Sequence, residues 1–316
     1  MKRKIKVFLF FLILIILVGI VIYNGVPEIL SEKTENFKTQ KEFSMFFFNK
    51  EKIGILEIKG AIFESQEILE KLDKLVNDDS VKGIIVRINS PGGAVGASQE
   101  ICKALEEMRK KKIIVSSIEN IGASGAYYIA LGTEKIFSNP GAITGSIGVI
   151  MEFYNSSKLW DKIGVSFKTI KSGKYKDIGN PVREMTEEEK KLLQSASDDV
   201  YNQFLAQIKK SRKKILEKKF KKLGFKTLDS YINFIANGKI FTGRQAYKYG
   251  LIDELGNIYD AAEYIKGKLK LKGKIEFYYP KNRKYPFFLS FLNNFSLKEN
   301  LPLRGINMLY IVPFSK

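Results

Sequence analysis

Residues 82–93, KGIIVRINSPGG, pass from a short apolar, β-branched run into a Pro-Gly-Gly turn, and a helical pattern, Ala97–Lys110, follows. The run is too short for a helix and has polar residues at both ends, so 82–89 reads as a buried strand. Similar runs flank it, KIGILEIKG at 52–60 and KKIIVSSI at 111–118, and Ser65–Val76 is a second helical pattern between the first two strands. Alternation of this kind predicts an α/β domain of parallel strands joined by helical crossovers. Further along, the pattern predicts helices over Ala126–Gly132 and Ser156–Ile163, and strands over Glu134–Ser138, Ser146–Met151 and Val165–Ile170. Thr186 with Glu189 three residues on forms a capping box, opening a helix expected to run in two pieces to Leu223. Thr242 with Gln245 repeats the device before a short helix ending at Gly250.

Composition narrows the chemistry. A chain of 316 residues can bury a sizeable core, and 45% apolar with 28% charged residues excludes a disordered or fibrous protein. There is no histidine, which excludes every Ser-His-Asp or Cys-His hydrolase and every His-ligated zinc site. One cysteine, Cys102, leaves no disulfide framework, and its helical spacing from Leu105 and Met108 makes it a small core residue. A hydrolase built from this chain must take its base from Lys, Asp, Glu or Tyr, or use a metal held by carboxylates.

The ends differ in character from the body. After MKRKIK, the 21 residues from Val7 to Pro27 carry no charge, close to the roughly 20 that span a bilayer as a helix. The run exceeds the roughly 7–15 residues of a signal-peptide core, and no small-x-small cleavage site follows, so it reads as an uncleaved anchor. Lys2, Arg3, Lys4 and Lys6 put the amino end in the cytoplasm and residues from about 30 onward outside, at the inner or plasma membrane. Residues 1–27 are then the basic end and anchor, 28–50 a polar tether, 51–270 the folded body and 271–316 an apolar and basic extension. Of the net charge of +19, nine lies in 208–226, on a predicted amphipathic helix with apolar positions at Tyr201, Leu205, Ile208, Ile215 and Leu223. Its basic face is either solvated or turned to anionic membrane lipid. A body outside the membrane leaves nucleic acid off the list of partners.

Four segments of the body could carry chemistry. NSPGG (89–93) follows a strand and precedes a helix; paired glycines let a ligand approach the backbone and leave N–H groups free for an oxyanion or phosphate, though the turn can be structural alone. In GASGAYY (122–128), Ser124 lies among small residues on a strand-to-helix turn, with the Gly125 N–H beside it. Tight strand–helix packing is the other reading. TGSIG (144–148) offers Ser146, and KSGKYKD (171–177) offers three lysines. A surface lysine is protonated and cannot accept a proton, whereas one in a dry pocket can be neutral, at a cost of about 4 kcal/mol for a pKa near 7.

In this order RINSPGG, ASGAYYIA, TGSIGV, SGKYKD and FTGRQAYKYGLIDELG resemble the signal peptide peptidase A family, membrane-bound Ser/Lys proteases with a fold like ClpP and the crotonases. The matching stretch runs from about Ile53 to Ile265. The resemblance implies a ClpP/crotonase-like spiral of repeated β-β-α units over 51–270, as the peptidase domain behind a transmembrane helix. It implies Ser124 as nucleophile, Lys176 as general base, the Gly93 and Gly125 amides as oxyanion hole, and Ser146 hydrogen-bonded to the lysine amine. Lys176 ranks ahead of Lys174 because the family pattern is Ser-Gly-x-x-Lys-Asp. No cofactor or metal is implied. The implied substrates are residual signal peptides and other short apolar or unfolded peptides. The implied assembly is a homo-oligomeric ring in which one protomer supplies the serine and the next the lysine. The family commonly has Ala-Ala-Ser-Gly-Gly at the nucleophile; here Gly122 and Ala126 stand at the flanks, and the Ala126 methyl is expected to narrow the substrate pocket. Three rivals remain: an NfeD-type Ser/Lys membrane protease with another target, a crotonase-like acyl-CoA enzyme, and a non-catalytic membrane-tethered scaffold.

Overall fold

The computed structural model describes residues 50–280 and 309–311. The expected anchor, nearly all of the tether and most of the C-terminal extension lie outside these residues. Among the described residues no helix is long and apolar enough to cross a membrane. Of the described residues, Glu51–Leu271, 275–280 and Leu309–Ile311 belong to one compact unit.

The three expected strands are present as β1 (Lys50–Lys59), β2 (Val81–Ser90) and β4 (Ile113–Ala123). They pair in parallel, Ile55 with Ile85 and Ile85 with Val115. The helices between them, α1 (Gln66–Asn77) and α2 (Val95–Met108), lie within about two residues of their expected bounds. β4 runs five residues past its predicted end and serves two neighbours in turn. Its Ser116–Ile118 stretch pairs with β5 (Ile136–Ser138), and its Ile121–Ala123 stretch pairs with β6 (Ile143–Gly145), both parallel. Between these stretches the register to β2 jumps, from Ile88 opposite Ile118 to Ser90 opposite Gly122. Such a bulge bends the strand, and here it carries β4 toward the helix that follows, α3 (Gly125–Ala130). β7 (Ile240–Thr242) joins β6 antiparallel, β8 (Glu254–Leu255) joins β5, and β9 (Lys274–Tyr278) closes the far edge on β1. The sheet is therefore mixed, eight strands in a ClpP-like α/β arrangement.

Both faces of the central strands are apolar because both are covered. One face buries Leu56, Ile84, Val86, Ile88, Ile114 and Ile118 against α1, α2, α3 and the long helix α5 (Glu187–Lys222). The other buries Ile53, Ile55, Ile85, Val115 and Phe137 under Ala261, Ala262 and Ile265 of α8 (Ile258–Leu269). Each fully buried Ile or Val contributes about 1.5–3 kcal/mol, so the central strands are the rigid part on which the loops are set.

Three predicted elements differ. The strand expected over Ser146–Met151 lies earlier, at Ile143–Gly145, and ends where Gly145 and Ser146 take positive φ, 83° and 50°, outside the extended range. Val165–Ile170 is not a strand: it lies on an exposed arm with no sheet edge beside it, and Ile170 is 95% exposed. On the same arm, the short helix α4 (Ser157–Lys162) does form. The helix after Thr186 is one piece of 36 residues, not two. The break in its apolar stripe is Arg212, which is buried at the i+4 position after Ile208, its Nε donating to the Gly250 carbonyl and its Nη1 to Asp253, while its Nη2 is buried without a hydrogen-bond partner among the described residues. Helix α6 (Leu228–Ile235) and helix α7 (Gly243–Lys248) follow, the latter on the capping box of Thr242 and Gln245.

Candidate active site

Ser124 is the single residue between the end of β4 and the start of α3, and its backbone is at φ 53°, ψ −121°. Positive φ is uncommon outside glycine and costs free energy that the surroundings must offset. Among the described residues only Ser124, Ser146 and Lys270 adopt it without being glycine. The two serines singled out by sequence are therefore two of three such positions. Hydrogen bonds on both sides hold the Ser124 backbone: its N–H donates to the Gly145 carbonyl at 2.8 Å, and its carbonyl accepts from Tyr128 N–H at 2.9 Å. α3 is buried along its whole length. The Tyr127 hydroxyl donates to the Leu251 carbonyl at 2.7 Å, and Tyr128 meets Phe204 of α5 edge-on at 5.0 Å. The elbow is thus clamped from behind, with Gly125 as the first residue of α3 and its N–H at the positive end of a buried helix turn.

Gly93, expected in a turn, is the middle residue of a short strand, β3 (Gly92–Ala94). Ile62 N–H donates to the Gly92 carbonyl at 2.9 Å and the Ile62 carbonyl accepts from Ala94 N–H at 2.6 Å. Strand groups alternate in direction, so the N–H and carbonyl of Gly93 face the opposite side. There β10 (Leu309–Ile311) lies antiparallel, with Tyr310 opposite Gly93. α3 packs against both β3 and β10. The glycine is required by space: a Cβ on Gly93 would sit 1.9 Å from the Ile62 carbonyl oxygen. Gly92, at φ 107°, makes the preceding turn, and its N–H donates to Ser90 Oγ at 3.2 Å. Ile62 and Ser90 were not legible as site residues, since nothing in their local sequence marks them.

Ser146 occupies the equivalent place on the next strand, one residue past Gly145 as Ser124 is one past Ala123, and those two residues are paired in register. It is buried, and its N–H donates to the Lys239 carbonyl at 2.7 Å. A cleft of about 380 Å³ opens beside it, lined by Ile147, Val149, Tyr201 and Asn237 among others.

The three lysines of 171–177 are exposed and have different partners. Lys171 pairs with Asp177, while Lys174 pairs with Glu188 at 2.5 Å. The hydrogen bond to Glu188 raises the Lys174 amine above its ordinary value, which makes it a poorer proton acceptor. The Lys176 amine forms no hydrogen bond or ion pair with the described residues, Ser124 and Ser146 included. The single chain thus brings Ser124, Ser146, Gly93 and Gly125 to one end of the sheet and leaves Lys176 on the exposed arm. Cys102 is no alternative nucleophile: burial pushes its thiol up to about 12.

The chain is similar in sequence to known proteases. Peptidase family S49 matches residues 106–272, and Clp protease matches 40–142. A Synechocystis protein named as a protease is 42% identical over 216 residues, covering 68% of this chain and 73% of its own. A Methanocaldococcus jannaschii protein named as a protease is 36% identical over 265 residues, covering 82% and 80%. An Enterococcus faecium protein named as signal peptide peptidase SppA is 33% identical over 282 residues, covering 86% and 76%. A family match over more than half the chain, on a fold that strains a serine at a strand–helix elbow, identifies the chain as a serine protease belonging to peptidase family S49.

Proposed function

We propose that this protease is a membrane-anchored endopeptidase whose nucleophile is Ser124 and whose general base is Lys176. The observation that carries the reading is the strained backbone of Ser124, held between the Gly145 carbonyl and α3 with β3 alongside. The Lys176 amine takes the Ser124 proton as Oγ bonds to the substrate carbonyl carbon. Negative charge then develops on the carbonyl oxygen between the N–H groups of Gly93 and Gly125, each donor worth about 3 kcal/mol in comparable sites. The ammonium returns its proton to the departing amine as the peptide bond breaks. Water, deprotonated by the same amine, hydrolyses the acyl-serine. Ser146 holds the amine in line. No cofactor enters these steps.

A peptide would bind as an added antiparallel strand on β3, in the manner of Leu309–Ile311. That mode favours short, extended, unfolded chains, and residual signal peptides match it in length and apolarity; a relative bearing the name signal peptide peptidase supports the choice. The active form would be a ring in which the arm of one protomer delivers Lys176 to Ser124 of the next. Support comes from the arm itself, which exposes Tyr154, Leu159, Ile163, Phe167 and Ile170, more apolar surface than a solvated loop needs. The uncharged stretch Val7–Pro27 would anchor each protomer at the plasma or inner membrane with the peptidase domain outside. The test is hydrolysis of a fluorogenic apolar peptide by the wild-type protein beside Ser124→Ala and Lys176→Ala. Loss in both variants is expected; retained turnover in either removes that residue from the mechanism.

A further inference from the structure

We infer that Arg183 is the positioning residue for the catalytic lysine, an inference that rests on Lys176 being the base. Lys176 sits in a turn without regular secondary structure, and its own N–H makes only a 3.2 Å bond to the Gly173 carbonyl. Something else must fix the direction of its side chain. The next residue is Asp177, and Arg183 grips it three times: Nε to Oδ2 at 2.8 Å, Nη2 to Oδ1 at 2.9 Å, and Nη2 to the Asp177 carbonyl at 3.0 Å. The other edge of the same guanidinium reaches Glu189, Nη1 to Oε2 at 2.9 Å and Nη2 to Oε1 at 2.5 Å. Glu189 closes the capping box of α5, its Oε2 accepting from Thr186 N–H at 2.9 Å. The backbone one residue past Lys176 is therefore tied through a planar fork to the first turn of a 36-residue helix packed into the core.

The parts suit positioning. Asp177 and Glu189 are 12% and 4% exposed at their side chains, so the clamp is shielded while the lysine beside it remains free to reach outward. A guanidinium can hold two carboxylates at once in fixed geometry, and an ammonium cannot. Lys171 also contacts Asp177 but has no bond to α5, so it cannot replace the link.

The experiment compares the full-length detergent-solubilised protein with Arg183→Met, Arg183→Lys, Asp177→Asn and Lys176→Ala. It measures kcat and KM on one fluorogenic peptide, with assembly size and thermal unfolding followed on the same samples. Displacing a reacting group by about 1 Å costs on the order of 100-fold, so Arg183→Met should lose about that in kcat with KM within about twofold. Arg183→Lys should recover only a minor part. Guanidinium ion added to Arg183→Met, far below denaturing concentration, should restore kcat several-fold and do nothing for Lys176→Ala. Wild-type kcat in Arg183→Met overturns the proposal, as does a loss matched by an equal loss of assembled, folded protein. If Arg183→Met does not fold, Asp177→Asn carries the test, with the same expected fall in kcat at unchanged KM. Should Lys176→Ala keep wild-type activity, the base assignment itself is wrong and the proposal falls with it.

Discussion

The Ser124 N–H donates to the Gly145 carbonyl at 2.8 Å, and that bond joins the ends of two parallel strands, each followed at once by a serine of positive φ. Backbone pairing thus places Ser124 and Ser146 side by side before either side chain acts, and fixes the elbow more firmly than a surface loop could.

Replacing Ser124 with Ala should abolish peptide hydrolysis, by about 10⁴- to 10⁶-fold in kcat, as removal of a nucleophile does elsewhere. Covalent labelling by a fluorophosphonate should vanish in parallel, while circular dichroism stays that of the wild type. Labelling that persists in the variant would move the nucleophile to another residue.

If the site is shared between protomers, mixing inactive Ser124→Ala with inactive Lys176→Ala protein should restore activity once subunits exchange. A mixed ring contains interfaces with one intact serine facing one intact lysine. Verified mixed assemblies that stay inactive would put both residues of the dyad in one chain.

Gly93→Ala should damage stability and activity together. The new methyl would lie 1.9 Å from the Ile62 carbonyl oxygen, which is backbone and cannot swing away. Overpacking of this kind costs about 1–3 kcal/mol, readable in urea unfolding. The displaced N–H should lower kcat further by one oxyanion donor, about 100-fold.

Acid should loosen the arm before it unfolds the core. Hydrogen bonds from Arg183 and Thr186 hold the Glu189 carboxyl at about 2, against an ordinary 4.5, and those from Arg183 and Lys171 hold Asp177 low as well. Both folded values are depressed, so their contribution is complete above about pH 4.5 and disappears as pH falls toward 2. Trp160, the one tryptophan of the chain, reports on the arm: its indole N–H donates to Ser156 Oγ, and Ser156 N–H donates to the Pro181 carbonyl. Its emission should shift to the red across that range, and Arg183→Met should show the shifted emission already at neutral pH.

Ending the chain at Met308 should lower KM for peptides several-fold with kcat unchanged. Leu309–Ile311 lies on the edge of β3 that an added substrate strand would need, and a tethered occupant competes at an effective concentration of order millimolar. An unchanged KM would place substrate on some other edge.

The proposed site residues rest on local signals, because the motifs that carry them are each contiguous in sequence. The strand-to-helix turn at 122–128 leaves tight packing open as the other reading of Ser124, and it is the resemblance of ASGAYYIA and SGKYKD to family motifs that implies Ser124 and, ahead of Lys174, Lys176. Gly93 is implied by the same resemblance, and the tertiary structure supplies a further reason for a glycine there. The sequence reading invoked an open backbone, whereas the Ile62 carbonyl, 31 positions away, is what leaves no room for a side chain. Val165–Ile170 misled because apolar residues were taken as a strand, whereas among the described residues the segment lies on the exposed arm and pairs with no strand.

The order of most strands and helices and the exclusion of histidine chemistry followed from the chain as written, and the proposed serine and lysine from its resemblance to family motifs, since each depends on residue identity and near-neighbour spacing. The tertiary fold alone decided that β4 bends to serve two partners, that Ser124 and Ser146 both take positive φ, that β3 presents an edge occupied by β10, and that Arg183 joins Asp177 to α5. Those are contacts between groups far apart along the chain or turned by the backbone, and local pattern holds no information on which distant partner a hydrogen-bonding group will meet.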